Sequence, residues 1–387
     1  MNAQANTFYN SAASESSIGN PPGRDPLDFH RRLSGYEPTP LIGAPALAEN
    51  LGIGQVWVKD ESSRLGLPAF KILGASWAIY SELQKRADLG RWNTIDELAA
   101  LLEGLRPMTL SAATDGNHGR AVARMAALLG FDARIYVPAG TSQARIDAIT
   151  SEDASVTVVD GTYDEAVARS AEDVGERCLV ISDTSWAGYE DVPRRVIDGY
   201  STILWEVDDQ LAAQGEAGPD VVVVQIGVGA LASAVVSHYR QSGRGHYPRI
   251  VGVEPTVANC MLASMRAGEI VTIPGPQDSI MAGLNCGTPS MLAWPVVSAG
   301  VDVFVEIDDD RAREAMRSLA GVGVVAGETG AAGLGGLIEL LVGPEAEQGR
   351  EFLGVNSETR VLLFVTEGAT DPESYAEIVG RQEEPLQ

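Results

Sequence analysis

The chain has 387 residues, of which 28 are basic and 53 acidic, so its formal net charge is −25. With 45% hydrophobic and 21% charged residues, it has the composition of a globular protein of one large or two ordinary domains. A chain this acidic repels nucleic acid and anionic membranes, and no apolar run approaches the ~20 residues that cross a bilayer, so we expect neither as a partner. The N-terminal segment has no secretory-signal pattern, and we expect a cytoplasmic enzyme or binding protein.

In chain order, residues 1–24 come first; they are rich in Ser, Asn, Ala, Gly and Pro, which predicts a flexible N-terminal arm. Short apolar runs that predict strands then alternate with longer helical patterns. Runs that are apolar on both faces are typical of parallel strands covered by helices, so the pattern predicts an α/β fold. The predicted strands are residues 55–60, 108–113, 133–138, 155–159, 178–182, 220–226, 249–254, 302–307 and 360–366, and the predicted helices include 72–87, 118–130, 162–174, 230–241, 310–320 and 330–341.

These predicted elements fall into two groups. Residues about 76–200 hold three or four strand–helix units, and residues about 205–387 hold a second series that opens with the apolar strand 220–226. The Ala-, Gln- and Gly-containing segment 211–220 lies between them and suggests a domain boundary near 200–219. Ligands of open parallel sheets bind at the carboxyl ends of strands, often between domains, so we expect functional residues in the loops that follow the strands.

Lysine usage narrows the search for a nucleophilic amine. The chain has only three lysines, Lys59, Lys71 and Lys85, and arginine stays protonated. Lys71 stands at the start of a predicted helix, where the helix dipole lowers the pKa of an amine and favours its neutral form. A neutral amine can form a Schiff base with a carbonyl cofactor, whereas the alternative is a solvated surface lysine.

A glycine-rich turn, GVGALA at 227–232, directly follows strand 220–226 and opens a helix. Glycines let a backbone approach a phosphate, and the amides at a helix N-terminus attract its charge. The turn also resembles a dinucleotide fingerprint, with Glu254 at the end of the next strand, where a ribose-binding acid would stand. A phosphate-bearing cofactor, a dinucleotide and a simple packing turn therefore remain open.

Two further turns carry carboxylates after predicted strands. In TDGNHG at 114–119, Asp115 and Asn117 could bind a substrate or cofactor, or the turn could simply cap a helix. In SDTSWAGY at 182–189, Asp183 could be a second site carboxylate, with aromatic neighbours that exclude water or only pack. The acids in Thr366-Glu367-Gly368 and Gly327-Glu328-Thr329-Gly330 allow either a site or an ordinary turn. The histidines at 30, 118, 238 and 246 are too scattered to predict a metal site.

The lysine loop, the Gly-Asn-His turn and the glycine-rich loop occur together in an order that resembles the fold-type II pyridoxal 5′-phosphate enzymes of the tryptophan synthase β-like superfamily. Within that superfamily the chain is similar to the diaminopropionate ammonia-lyase family, because TDGNHG occurs together with DTSWAGY. The dinucleotide alternative leaves Lys71 and both aspartate turns unexplained. The matching segments are 36–41, 58–78, 114–123, 182–193, 225–235, 253–255, 280–287, 327–337 and 366–373.

This resemblance implies the fold and the cofactor. It implies two domains, each with a mostly parallel sheet flanked by helices, with the active site in the cleft between them and a homodimer as the assembly. The large domain would comprise residues 25–75 and 205–387, and the small domain residues 76–204. Lys71 would hold pyridoxal 5′-phosphate covalently, Asn117 would bind its ring hydroxyl, and Thr366 would face its pyridine nitrogen. The implied cofactor-binding residues are Phe70, Lys71, Asn117, Gly227, Val228, Gly229, Ala230, Leu231, Glu328 and Thr366.

The implied reaction is β-elimination from the small-molecule substrate 2,3-diaminopropionate, which gives pyruvate and ammonia. The alternatives are a serine/threonine dehydratase-like ammonia-lyase and a non-catalytic protein that carries the cofactor. Pro68 stands where related sequences carry Asn, which leaves the substrate open. The implied catalytic residues are Lys71, Asp115 and Asp183, and the implied substrate-binding residues are Thr114, Asp115, Gly116, His118, Asp183 and Tyr189.

The resemblance also implies a disulfide between Cys260 and Cys286. In a reducing cytoplasm such a bond would be labile rather than structural. The alternative is two buried thiols.

Overall fold

The structure is a computed structural model that describes residues 6–14, 18, 21–114, 116–241 and 245–380. The described residues form eleven strands in two sheets, and each predicted strand is present within two residues of its expected ends. The strands are β1 Thr7–Tyr9, β2 Leu41–Gly43, β3 Gln55–Asp60, β4 Thr109–Ala113, β5 Asp132–Pro138, β6 Ser155–Val159, β7 Cys178–Val180, β8 Val221–Gln225, β9 Arg249–Pro255, β10 Val303–Ile307 and β11 Arg360–Val365.

Helices cover both sheets. None of those in the described ranges is long and apolar enough to cross a membrane. The helices are α1 Asp25–His30, α2 Pro45–Leu51, α3 Lys71–Gln84, α4 Ile95–Leu101, α5 Asn117–Leu129, α6 Gln143–Thr150, α7 Tyr163–Ala171, α8 Asp191–Gln214, α9 Ala230–Tyr239, α10 Cys260–Ala267, α11 Trp294–Gly300, α12 Asp309–Gly321, α13 Glu328–Val342, α14 Ala346–Leu353 and α15 Pro372–Gly380, with 3₁₀ turns at Arg64–Gly66, Glu103–Leu105 and Ala282–Leu284.

The larger sheet has the strand order β1-β10-β9-β8-β11-β3-β2, and the smaller has β6-β5-β4-β7. Pairing is parallel throughout the smaller sheet and inside the larger one, whereas the edge strands β1 and β2 pair antiparallel. All five side chains of β8 are buried, as expected for a strand with helices on both faces. The predicted α/β class is therefore confirmed, and the smaller sheet lies wholly within residues 76–204.

Two details of the predicted organisation differ from the structure. The expectation of a flexible arm is wrong for residues 7–9, because β1 pairs with β10. The Asn10 amide then donates to the carbonyl oxygens of Ser298 and Val301, both at 2.9 Å. The domain boundary expected at 204/205 falls inside α8, which continues without a break from Asp191 to Gln214. The limits of the two domains stay a prediction.

Helices α3 and α8 cross at two glycines. A Cβ on Gly199 would lie 2.4 Å from the carbonyl oxygen of Leu73, and one on Gly74 would lie 2.5 Å from the Tyr200 ring. Nearby, the His30 ring is within hydrogen-bond distance of Thr202 Oγ1 at 2.7 Å and of Leu73 O at 3.0 Å. Burial lowers the pKa of His30 to about 3, so this ring joins the helices as a neutral group. The start of α3, where Lys71 stands, is thus held close to α8.

A buried ionic cluster, consisting of Lys59, Glu61, Arg64 and Glu206, connects the same region to β3. All four side chains are at most 2% exposed. Glu206 accepts from Lys59 Nζ and from Arg64, each at 2.7 Å, and Arg64 also donates to Glu61 at 2.7 Å. Two cations and two anions balance, so each charge has a partner where water is absent.

The close helix crossing generates a stability prediction. Gly199→Ala should lower the free energy of unfolding by about 1–3 kcal/mol, because the new methyl meets backbone atoms that cannot move aside as a flexible side chain could. Urea unfolding followed by circular dichroism measures it. Gly104→Ala is the matched control, since nothing lies within 4 Å of the place that its new methyl would take, and it should be neutral. Equal effects of the two changes would contradict a close crossing at Gly199.

Candidate active site

A cleft lies where loops from the two sheets meet at the carboxyl ends of their strands. It is lined by loops that follow β4, β7, β8 and β11, as the sequence predicts. Of the residues predicted from the sequence, the cleft brings together Phe70, Lys71, Asn117, Asp183, Gly227, Val228, Gly229, Ala230, Leu231 and Thr366, and to them it adds Tyr163, Gln225, Ala282, Gly283, Leu284, Asn285, Cys286, Thr329 and Glu367.

Lys71 is the lysine that lines this cleft. Lys59 belongs to the buried ionic cluster, and Lys85 is at the surface, where it pairs with Glu82 and Asp191. The loop before Lys71 is joined to the end of β11, because Phe70 N donates to Thr366 O at 3.3 Å. On the same loop, the carbonyl oxygen of Pro68 accepts from Gly368 N at 2.9 Å. Pro68 therefore fixes the loop through its backbone and does not line the cleft.

Asp183 links Lys71 to a tyrosine. Lys71 Nζ donates to Asp183 Oδ2 at 2.6 Å, and the Tyr163 hydroxyl donates to Asp183 Oδ1 at 2.9 Å. Burial acts to raise the pKa of the Asp183 carboxyl, but the charges of Lys71 and His118 and these hydrogen bonds outweigh it, so the pKa lies well below its usual range. The cleft thus holds an ionised carboxylate beside an amine that is 18% exposed.

The glycine-rich turn leads from β8 into α9. Gly229 has φ +99°, and a Cβ there would lie 2.8 Å from Met261 and 3.0 Å from Ala293. A side chain is thereby excluded, and the first-turn N–H groups of α9 have no intrahelical partner and can bind an anion. Glu254 does not suit the ribose-binding role that the dinucleotide alternative requires, because its two carboxylate oxygens already accept from the backbone amides of Met261 and Leu262.

The remaining contacts fit a phosphorylated pyridine ring. Asn117 Nδ2 donates to the buried carboxylate of Glu367, and both residues line the cleft. Thr366, the lining residue that directly precedes Glu367 in the chain, accepts from Gln225 Nε2 through Oγ1 at 2.9 Å. The amine of Lys71 suits an aldehyde, and the backbone amides of 227–231 suit a phosphate. Together with the polar side chains of Asn117 and Thr366, they match a ring that carries both groups.

Three of the predicted substrate-binding residues shape the turn after β4 and do not line the cleft. Thr114 Oγ1 accepts from Gly116 N at 2.8 Å, and Gly116 has φ +147°. The His118 ring is 2.7 Å from the carbonyl oxygen of Ile181, and its charge acts to lower the pKa of Asp183. Asp115 lies outside the described residues, so its role stays a prediction.

Tyr189 and Glu328 are not part of the cleft lining either. Tyr189 donates to Val180 O at 2.5 Å and stacks on Trp186, with ring centroids 4.2 Å apart. These contacts close the 182–189 turn and so position Asp183. Glu328 instead accepts from Ser374 Oγ at 2.6 Å. Of the two glutamates, it is Glu367 that lines the cleft, because it directly follows Thr366 at the end of β11.

Sequence reasoning missed Tyr163, Gln225 and Glu367 as cleft residues. Gln225 had a signal, since it is the polar residue that ends the apolar run VVVV in β8. Glu367 lies in a sequence segment that allows either a site or an ordinary turn, and the family resemblance predicts cofactor binding by Glu328 and Thr366, not by Glu367. Tyr163 begins α7 after a Thr162–Glu165 capping box, and no local pattern indicates that this helix start faces Asp183.

The disulfide implied by the resemblance is not present. Cys260 and Cys286 are both buried thiols, and burial raises the pKa of Cys260 well above its usual value. Cys286 lines the cleft, where its sulfur lies against Gly227. Within the described ranges, no group of three or more His, Cys, Asp or Glu side chains is arranged to hold a metal ion.

Comparison with known proteins identifies the family. The chain belongs to the pyridoxal-phosphate-dependent enzyme family, whose sequence profile it matches over residues 33–358. Within that family it is similar to the diaminopropionate ammonia-lyase of Salmonella typhimurium, with 35% identity over 96% of this chain and 95% of the relative. The biosynthetic L-threonine dehydratase of Mycobacterium bovis is 29% identical over 89% of this chain and 71% of its own length.

The structural comparison agrees. The crystal structure of Escherichia coli diaminopropionate ammonia-lyase, in complex with an aminoacrylate-PLP azomethine reaction intermediate, superposes with a TM-score of 0.84 at 34% identity and covers 96% of both chains. The predicted fold type II is therefore confirmed, and pyridoxal phosphate is the cofactor of the family to which the chain belongs.

The position of Lys71 generates a labelling prediction. Borohydride reduction of the yellow holoprotein should fix the cofactor to the peptide that contains Lys71, because that amine alone among the three lysines lines the cleft. Peptide mass mapping measures it. Lys71→Ala should lose both the visible absorbance band and the label, whereas the surface control Lys85→Ala should keep both. A label on Lys59 or Lys85 would exclude Lys71 as the anchor.

Proposed function

We propose that this protein is a pyridoxal-phosphate-dependent ammonia-lyase that converts 2,3-diaminopropionate to pyruvate and ammonia by β-elimination. The observation that carries the proposal is the buried, ionised Asp183 beside Lys71 in the cleft. A diamino acid brings a second ammonium group, and a buried carboxylate binds such a group with a charge-assisted hydrogen bond. The similarity to diaminopropionate ammonia-lyases over 96% of the chain supports the same substrate.

The chain's own residues would bind the cofactor as follows. The amides of 227–231 would hold its phosphate, Asn117 would bind its ring hydroxyl, and Thr366 would contact its pyridine nitrogen. Phe70 would pack beside the ring, because it lines the cleft next to Lys71. The bound cofactor supplies an electron sink for the negative charge left on the substrate Cα.

Lys71 and Asp183 would have different roles in the reaction. The amine of Lys71 would take the Cα proton, since it lines the cleft next to the proposed place of the ring. The low pKa of Asp183 depends on the positive charge of Lys71. With the Cα proton on Lys71, Asp183 therefore stays ionised and would hold the β-ammonium group by a charge-assisted hydrogen bond. That group would leave as neutral ammonia with the bonding electrons of its C–N bond, so no further proton is needed. Tyr163 keeps the carboxylate oriented through its 2.9 Å hydrogen bond.

A dehydratase-like activity is the second candidate, because a threonine dehydratase is among the relatives. Its substrates carry a neutral β-hydroxyl group instead of a β-ammonium group. The negative charge of Asp183 therefore distinguishes the ammonia-lyase from the dehydratase-like activity, since only the β-ammonium group of a diamino acid needs that charge for binding.

We also propose that the protein acts as a cytoplasmic homodimer, on the basis of the family resemblance. Sedimentation equilibrium of the holoprotein measures the assembly, and cell fractionation measures the compartment.

The role of Asp183 generates a prediction about substrate choice. Asp183→Asn should lower kcat/KM for 2,3-diaminopropionate by about 10²-fold or more, because the β-ammonium group loses its charged partner. Any turnover of L-serine should fall less, because its β-hydroxyl group carries no charge. A coupled pyruvate assay measures both substrates. Asp164→Asn is the control, because this carboxylate accepts from Thr288 at 3.0 Å and does not line the cleft. Equal losses for the two substrates would contradict a charge-specific role.

The family resemblance generates a separate prediction for Asp115. If Lys71 and Asp115 approach Cα from opposite faces, Asp115→Asn should reduce turnover of one enantiomer of 2,3-diaminopropionate by about 10²-fold and leave the other less affected. The pyruvate assay with D and L substrate measures this. Equal, mild losses for both enantiomers would return Asp115 to a helix-capping role.

A further inference from the structure

Gln225 is a buried polar residue that the proposed mechanism does not use. It ends β8, whose other four residues are all valine, and its side chain is 3% exposed. A polar amide at such a position costs stability unless hydrogen bonds compensate for it. Its own carbonyl oxygen, Oε1, is buried without a hydrogen-bond partner among the described residues. The hydrogen bonds of the Gln225 amide nitrogen, Nε2, are thus made while Oε1 stays unsatisfied.

The orientation of this amide is fixed by its neighbours. Gln225 Nε2 lies 3.0 Å from Thr329 O, 3.1 Å from Phe364 O and 2.9 Å from Thr366 Oγ1. Two of these atoms are backbone carbonyl oxygens, which only accept, so the atom that faces them must be the nitrogen and not the oxygen. An amide nitrogen donates and does not accept. Thr366 Oγ1 is therefore an acceptor towards Gln225.

This arrangement decides where the hydroxyl hydrogen of Thr366 points. It cannot be donated to Gln225, and in the described part of the chain Thr366 donates no side-chain hydrogen bond. Thr366 lines the cleft, so its hydrogen is available to a ligand there. An unprotonated ring nitrogen at this place would accept this hydrogen. A protonated ring nitrogen could use only the second lone pair of Oγ1 and would have to turn the hydroxyl hydrogen away from the cleft.

We infer that Gln225 is a positioning residue that directs the Thr366 hydroxyl to donate to the pyridine nitrogen of the cofactor and thereby keeps that nitrogen unprotonated. This inference rests on the proposed function for the placement of the ring. An unprotonated ring withdraws electrons less strongly, which favours departure of a β-substituent over transfer of the amino group.

Nitrogen NMR of the holoprotein, loaded with pyridoxal phosphate that is ¹⁵N-labelled in the ring, tests the inference. The wild-type ring nitrogen should show the shift of an unprotonated, hydrogen-bonded pyridine. Gln225→Met should move the shift towards that of a pyridine that accepts no hydrogen bond, because the Thr366 hydroxyl is then no longer held by the Gln225 amide and can rotate away from the ring. Thr366→Val should cause the same move, and the double variant should add nothing further.

Gln84→Met is the matched control. Its amide donates to the Tyr80 hydroxyl at 3.1 Å within α3 and does not line the cleft, so its loss should leave the ring shift unchanged. If Thr366→Val moves the shift and Gln225→Met does not, the inference about Gln225 is overturned while the proposed function stands. If Thr366→Val also leaves the shift unchanged, the proposed placement of the ring fails.

A measurement on the wild-type chain covers the case in which Gln225→Met does not fold. The 1-deaza analogue of pyridoxal phosphate has a C–H group in place of the ring nitrogen and cannot accept. Its dissociation constant should exceed that of pyridoxal phosphate by about tenfold or more, since the buried donor of Thr366 is then left unpaired. Equal affinities would overturn the inference.

Discussion

The geometry of the cleft depends on the buried ionic cluster. Arg64 lies on the segment that runs from β3 to Lys71, and Glu206 lies on α8, so their 2.7 Å contact fixes one relative to the other. Charges buried this deeply are tolerated only when each has a partner of opposite charge. Removing one of them leaves an uncompensated buried charge and destabilises the fold. Because α3 also crosses α8 at two glycines, the lysine at its start has little freedom to move. The cluster therefore sets the position of a nucleophile that it does not touch.

The ion pair in the cleft has the opposite character. Lys71 and Asp183 are as close as the partners in the cluster, at 2.6 Å, but the amine keeps an 18% exposed surface. A ligand can therefore reach the amine and take over its interaction with Asp183. Since the pKa of that carboxyl depends on the charge of its neighbour, one event at Lys71 changes the proton affinity of Asp183. The buried ionic cluster therefore supports the site with permanent contacts, whereas the Lys71–Asp183 contact in the cleft can be exchanged for contacts with a ligand.

Sequence patterns predicted the sheets well because long apolar runs such as β8 leave few alternatives to a buried strand. They missed β1 and β2, which have three residues each and little periodicity, and they placed a boundary inside α8, since Ala- and Gln-rich segments suit a helix end as well as a linker. For the site, residues that directly follow strands were found, because strand ends converge in parallel sheets. Tyr163 begins a helix, so only tertiary packing brings it to Asp183. Tyr189 and Glu328 had suitable chemistry, but their hydrogen-bond partners lie outside the cleft lining.

The antiparallel strands at the two edges of the larger sheet have a consequence for the protein in crowded solution. A parallel sheet that ended on a long apolar strand would offer a row of unpaired backbone groups to any extended chain. Here β1 and β2 occupy those edges with only three residues each. Their reversed direction and short length leave little template for strand addition by a neighbouring molecule. The sheet that carries the cofactor cradle is thereby protected from edge-to-edge aggregation.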